Sequence, residues 1–131
     1  MRITSLLIGL ALAMAFTLAP SQSTAQTAPK VISVMTYDVA GDMPKFVELY
    51  KRAMMIMEKY GSTGESRLWM ATYAGANAGR VAVAIEYPNM VSMAQSGEKV
   101  FSSPEWQKLS DDFDATDMRL LSSSVSVDLT P

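Results

Sequence analysis

Val81-Ala-Val-Ala-Ile-Glu-Tyr-Pro-Asn89 is the stretch whose reading decides the fold. Val81, Val83, Ile85 and Tyr87 alternate with Ala82, Ala84 and Glu86. That period of two gives a β-strand with one large apolar face and one face of small and acidic residues. Pro88 stops the strand, because it has no N–H to give to a neighbour. Asn89 then suits the cap of a helix predicted from about Met90 to Val100. Ser103-Pro104 restarts helical structure, with the serine as cap and the proline in the first turn, and carries it to about Phe113. Arg119 to Leu129 is the last predicted strand.

Upstream, Gly75-Ala-Asn-Ala-Gly79 is a glycine-flanked hairpin joining this strand to an earlier one over Arg67 to Ala74. Gly61-Ser-Thr-Gly64 is a loop. Before it, Phe46, Leu49, Tyr50, Ala53, Ile56, Met57 and Tyr60 recur at spacings of three and four. They mark an amphipathic helix opened by Asp42 with Pro44 behind it, and closed by Gly61. Val31 to Val39, rich in β-branched residues, is the first strand. The order strand–helix–strand–strand–helix–strand is the α+β, ferredoxin-like βαββαβ arrangement, which predicts a four-stranded antiparallel sheet with two helices on one face.

Alternation assigns the faces. Beneath the helices it places Ile32 and Val34, Leu68 and Met70, the large residues of the third strand, and Leu121, Val125, Val127 and Leu129. Opposite them it places Ser33, Met35 and Tyr37, then Trp69, Ala71 and Tyr73, then Ala82, Ala84 and Glu86, and finally Ser122, Ser124, Ser126 and Asp128. That second face is too apolar for water and too small-sided for a dense core. Two such sheets packed across a two-fold axis would close a dimeric α+β barrel around a pocket. The expected partner is therefore a second copy, and the expected ligand-binding residues are Tyr37, Trp69, Tyr73 and Glu86. The alternative is an open sheet face with scattered aromatics.

The first 25 residues read as a signal peptide: Arg2, an apolar run from Leu6 to Ala19, and Ser23-Thr24-Ala25 before a cleavage expected ahead of Gln26. The run falls short of the roughly 20 residues that span a bilayer. An uncleaved anchor is the alternative. Residues 26–30 are expected to be a short disordered lead, and 31–131 the single barrel domain. The destination is the periplasm or the exterior, with no membrane attachment after cleavage. Losing Arg2 takes the net charge of −2 to −3, no footprint for nucleic acid.

Three segments resemble the dimeric α+β barrel superfamily, which includes antibiotic-biosynthesis-monooxygenase-like and NIPSNAP-like domains. They are the glycine-terminated helix Asp42–Gly61, the strand running into a cap at Val81–Asn89, and the helix start Ser103-Pro-Glu-Trp-Gln-Lys-Leu109. The resemblance implies the same fold and, for some members, cofactor-independent oxygenase or isomerase activity.

The chemistry is defined mostly by what is missing. The 131 residues hold neither histidine nor cysteine. That removes the usual base near neutral pH, the Ser-His-Asp triad, thiol nucleophiles and the commonest transition-metal ligands. Asp111, Asp112, Asp114 and Asp117 lack the spacing of a calcium loop, so no metal and no cofactor is expected. Glu86 is the sharpest acid–base candidate, against a structural reading as the partner of Arg67, Arg80 or Arg119. Three functions follow: a small-molecule-binding or assembly domain, a cofactor-independent monooxygenase or isomerase, or a structural dimer with a filled barrel.

Overall fold

The computed structural model describes residues 28–72 and 75–130; the predicted signal peptide and Tyr73 lie outside them. Eight elements follow in order: β1 (Val31–Asp38), α1 (Met43–Lys59), β2 (Glu65–Met70), a 3-10 turn (Gly75–Asn77), β3 (Val81–Tyr87), α2 (Met90–Phe101), α3 (Pro104–Asp114) and β4 (Arg119–Val127). The sheet order is β2-β3-β1-β4 and every adjacent pair is antiparallel. This is the ferredoxin-like α+β fold. Its second helical arm is two helices, broken at Ser102-Ser103, so three helices roof the sheet.

The helix ends are set locally. Asp42 Oδ1 accepts the Lys45 N–H at 3.0 Å, which satisfies one of the unpaired donors of the first turn. Gly61 sits at φ 69°, a left-handed conformation cheap only for glycine. It allows the Gly61 N–H to reach the Glu58 carbonyl and the Ser62 N–H to reach that of Met57, the paired bonds of a Schellman stop. Asn89 Oδ1 caps α2 through the Ser92 N–H at 2.8 Å. Ser103 Oγ caps α3 through the Trp106 N–H and donates back to the Val100 carbonyl at 2.6 Å, so one buried hydroxyl serves both helices at the break.

The register corrects the faces of β1. Met35 lies opposite Val83 and Tyr37 opposite Val81, so both point beneath the helices with the large residues of β3. Ile32, Val34 and Thr36 face the other way, opposite Glu86, Ala84 and Ala82. β1 is a central strand with apolar residues on both sides, so its own alternation does not say which side is roofed. β2 is assigned as expected: Leu68 faces Val83 under the roof, and Trp69 faces Ala82 on the open side. β2 is shorter than expected, although the Ala71 N–H still reaches the Arg80 carbonyl at the hairpin neck.

β4 departs further. A bulge opposite Thr36/Tyr37 puts Leu120, rather than Leu121, across from Tyr37. Val125 and Val127 keep the roofed side but stay 48% and 40% exposed, because this edge strand lies outside the cover of the helices. Leu129 falls beyond the strand and is exposed. Lys30, expected in the disordered lead, is tied to the sheet: its carbonyl accepts the Asp128 N–H at 2.9 Å. The core gathers Phe46, Leu49, Ile56 and Met57 of α1, the large residues of β3, Val100 of α2 and Leu109 of α3.

Candidate functional site

A cavity of about 290 Å³ lies between the sheet and its helical roof. Met35 and Tyr37 of β1 and Val83, Ile85 and Tyr87 of β3 form its floor. Phe46, Leu49, Tyr50, Ala53, Met54 and Met57 of α1 form one wall, and Val100, Phe101, Trp106, Leu109 and Phe113 of α2 and α3 the other. Five of the α1 residues, Phe46, Leu49, Tyr50, Ala53 and Met57, belong to the apolar stripe legible in the sequence, and that face meets the sheet across a gap it does not wholly fill.

Aromatic rings shape the interior. The Tyr37 ring lies 5.1 Å from Phe46 and 5.8 Å from Phe113, tilted and edge-on respectively. Its hydroxyl donates to Met35 Sδ at 3.4 Å. Burial pushes the Tyr37 phenol above its ordinary pKa, and does the same at Tyr87. Tyr50 donates to Ser66 Oγ at 3.0 Å, which ties α1 to β2. Trp106 packs on Phe101 at 5.0 Å across the α2–α3 break.

Two polar ties hold α1 to α3 over this space. Arg52 pairs with Asp112 at 2.7 Å. Glu105 accepts from Lys59 and, at 2.6 Å, from the Tyr60 hydroxyl. Those two donors, Lys59 first, pull the Glu105 carboxyl down to a pKa of about 2. Asp112 is lowered as well, by its hydrogen bond from Arg52. Among the described residues no three carboxylates stand close enough to hold a metal ion.

The residues expected to share one site do not converge. Tyr37 is in the cavity. Trp69 is on the opposite face of the sheet and 51% exposed. Glu86 is also on that open face, but four residues along β3 from the Ala82 that Trp69 opposes, roughly 13 Å away. Its partner is Lys30, at 2.6 Å, rather than any of the three arginines. Both groups of that pair are well exposed, so it adds little stability. The cavity itself escaped the sequence, since Phe46, Leu49 and Met57 read equally well as solid core.

The comparisons agree with this architecture. No family model matches the chain, and no curated protein matches it. Solved structures do. The ferredoxin-like α+β fold is shared with NIPSNAP family proteins and with a cofactor-independent oxygenase. A NIPSNAP family protein from Agrobacterium tumefaciens superposes with a TM-score of 0.60 at 13% identity, over 79% of this chain and 88% of its own. A NIPSNAP domain protein from Burkholderia xenovorans gives 0.59 at 19% identity, over 77% and 98%. SnoaB, a cofactor-independent oxygenase from Streptomyces nogalater, gives 0.53 at 12% identity, over 79% and 95%.

Proposed function

We propose that this chain is an exported small-molecule-binding domain whose ligand, compact and apolar or aromatic, occupies the cavity beneath α1, α2 and α3. The observation that carries the reading is that cavity. Its volume, near 290 Å³, is at the lower end of small-molecule sites, and its walls are almost wholly aromatic and aliphatic. On this reading the ligand sits within one protomer, beneath the helices. Export rests on the predicted leader, Arg2 to Ala25, which directs the mature protein to the periplasm or the exterior.

The open sheet face supports a homodimer. Ile32, Val34, Thr36, Ala82, Ala84 and Trp69 lie together there, with the serines of β4 at one side. A second copy packed on this face would cover the indole of Trp69.

A catalytic reading, that of a cofactor-independent oxygenase, draws on the likeness to SnoaB. The lining supplies little for proton transfer: the chain has no histidine, and Asp114, the carboxylate among the lining residues, is exposed. Binding is the better-supported reading. Thermal-shift screening of the mature protein against neutral hydrophobic compounds tests it. A ligand held at 100 times its Kd adds about 2.7 kcal/mol. Failure of every cavity-sized compound to raise the Tm refutes the proposal.

A further inference from the structure

We propose that the Tyr37 hydroxyl is the cavity's polar anchor, and that the occupant is an uncharged ring compound bearing a hydrogen-bond acceptor of the carbonyl class. The inference rests on the cavity being the ligand site. It adds the chemistry that the ligand must carry.

The half-buried Tyr37 ring packs against Phe46 and Phe113, and its hydroxyl has a thioether as acceptor, Met35 Sδ, at 3.4 Å. Sulfur of this kind accepts weakly. A methionine side chain is also flexible and turns aside at small cost. A carbonyl oxygen entering the cavity therefore finds a phenolic donor in an apolar setting, with only a weak acceptor to displace. Burial holds the phenol protonated well past neutral pH, so the group remains a donor.

Two neighbouring phenols have partners outside the cavity: Tyr50 donates to Ser66, and Tyr87 is hydrogen-bonded to Ser62. The cations near the roof, Arg52 and Lys59, are drawn to Asp112 and Glu105. An anionic ligand would leave water with no free counter-charge to meet it, and the one lining carboxylate, Asp114, is exposed to solvent, which disfavours ions. The walls thus select for apolar bulk, and the Tyr37 donor selects for an acceptor.

Two nearly isosteric probes separate these contributions: indane, and 1-indanone, which replaces a methylene with a carbonyl. Affinities are read by ligand-observed NMR titration of the full mature protein. Wild type is expected to prefer 1-indanone by about 3- to 10-fold, the yield of one neutral hydrogen bond. Tyr37→Phe is expected to abolish that preference while keeping its affinity for indane. Met35→Leu removes the competing acceptor and is expected to widen it. The second variant also answers the case in which Tyr37→Phe fails to fold. Equal affinities in wild type, or a preference that survives in Tyr37→Phe, overturn the anchor while leaving the cavity reading standing. If neither probe binds, the cavity reading falls and the anchor with it.

Discussion

Replacing Gly64 with alanine tests the packing that shapes the cavity floor. Gly64 precedes β2 and lies against two floor residues of β3. A Cβ built there would sit 2.6 Å from Ile85 Cγ2, 2.7 Å from Tyr87 Cε1 and 2.9 Å from Tyr87 Cζ. All three are inside any ordinary contact, and the first belongs to a β-branched side chain with little freedom to yield. Gly64 is not in a left-handed conformation, so alanine's backbone preference is not the obstacle. Overpacking of this sort costs about 1–3 kcal/mol. The lower chain entropy of the unfolded alanine variant returns about 0.4–1 kcal/mol. The net expectation is a loss of about 1–2 kcal/mol, which in a domain of this size lowers the Tm by roughly 5–15 °C. Thermal and urea unfolding followed by circular dichroism measure it, with near-ultraviolet signals reporting displacement of the Tyr87 ring. Gly97 is the control. Its added Cβ meets only the edge of the exposed Phe101 ring, at 3.3 Å, and a helix-interior alanine gains propensity. Gly97→Ala should be neutral or stabilising. A Gly64→Ala protein as stable as wild type, with unchanged near-ultraviolet signals, would refute the tight approach of β2 to Ile85 and Tyr87.

Glu105 gives an acid-stability prediction. Its folded pKa of about 2 lies below the ordinary 4.5, so its stabilising contribution is present above pH 4.5 and lost as pH falls toward 2. Glu105→Gln should therefore lose less Tm between pH 5 and 2 than wild type, and the difference should shrink in high salt, since the carboxylate is solvent-exposed. The lowered carboxyls of Asp112 and Asp128 leave part of the acid response in place. Asp42→Ala removes the α1 cap and should cost about 1 kcal/mol, most of which Asp42→Ser should restore; urea midpoints decide this. Ala84→Arg puts a second arginine beside Arg67 on the open sheet face, and should yield a folded monomer by light scattering where wild type gives twice the chain mass. A wild-type monomer at micromolar concentration would contradict the face-to-face dimer.

Four of the helix boundaries were legible because their chemistry is local. Asp42, Gly61, Asn89 and Ser103 act within a few residues of themselves, and all four sit where a cap or stop is needed. The alternation of β3 was equally legible, because its two faces differ in size along its whole length. From those elements and their order came the ferredoxin-like sheet.

The tertiary structure alone decided how the strands meet the helices. β1 carries apolar side chains on both sides, so its orientation follows from hydrogen-bond register with β3, a relation between residues about fifty positions apart. That register moved Met35 and Tyr37 from the open face into the cavity and separated Tyr37 from Trp69 and Glu86. The bulge that substitutes Leu120 for Leu121 is likewise a property of the β1–β4 pair and of neither strand alone. The cavity is a shortfall in packing between α1, α2, α3 and the sheet, and a list of apolar residues does not distinguish a filled core from one with room for a guest.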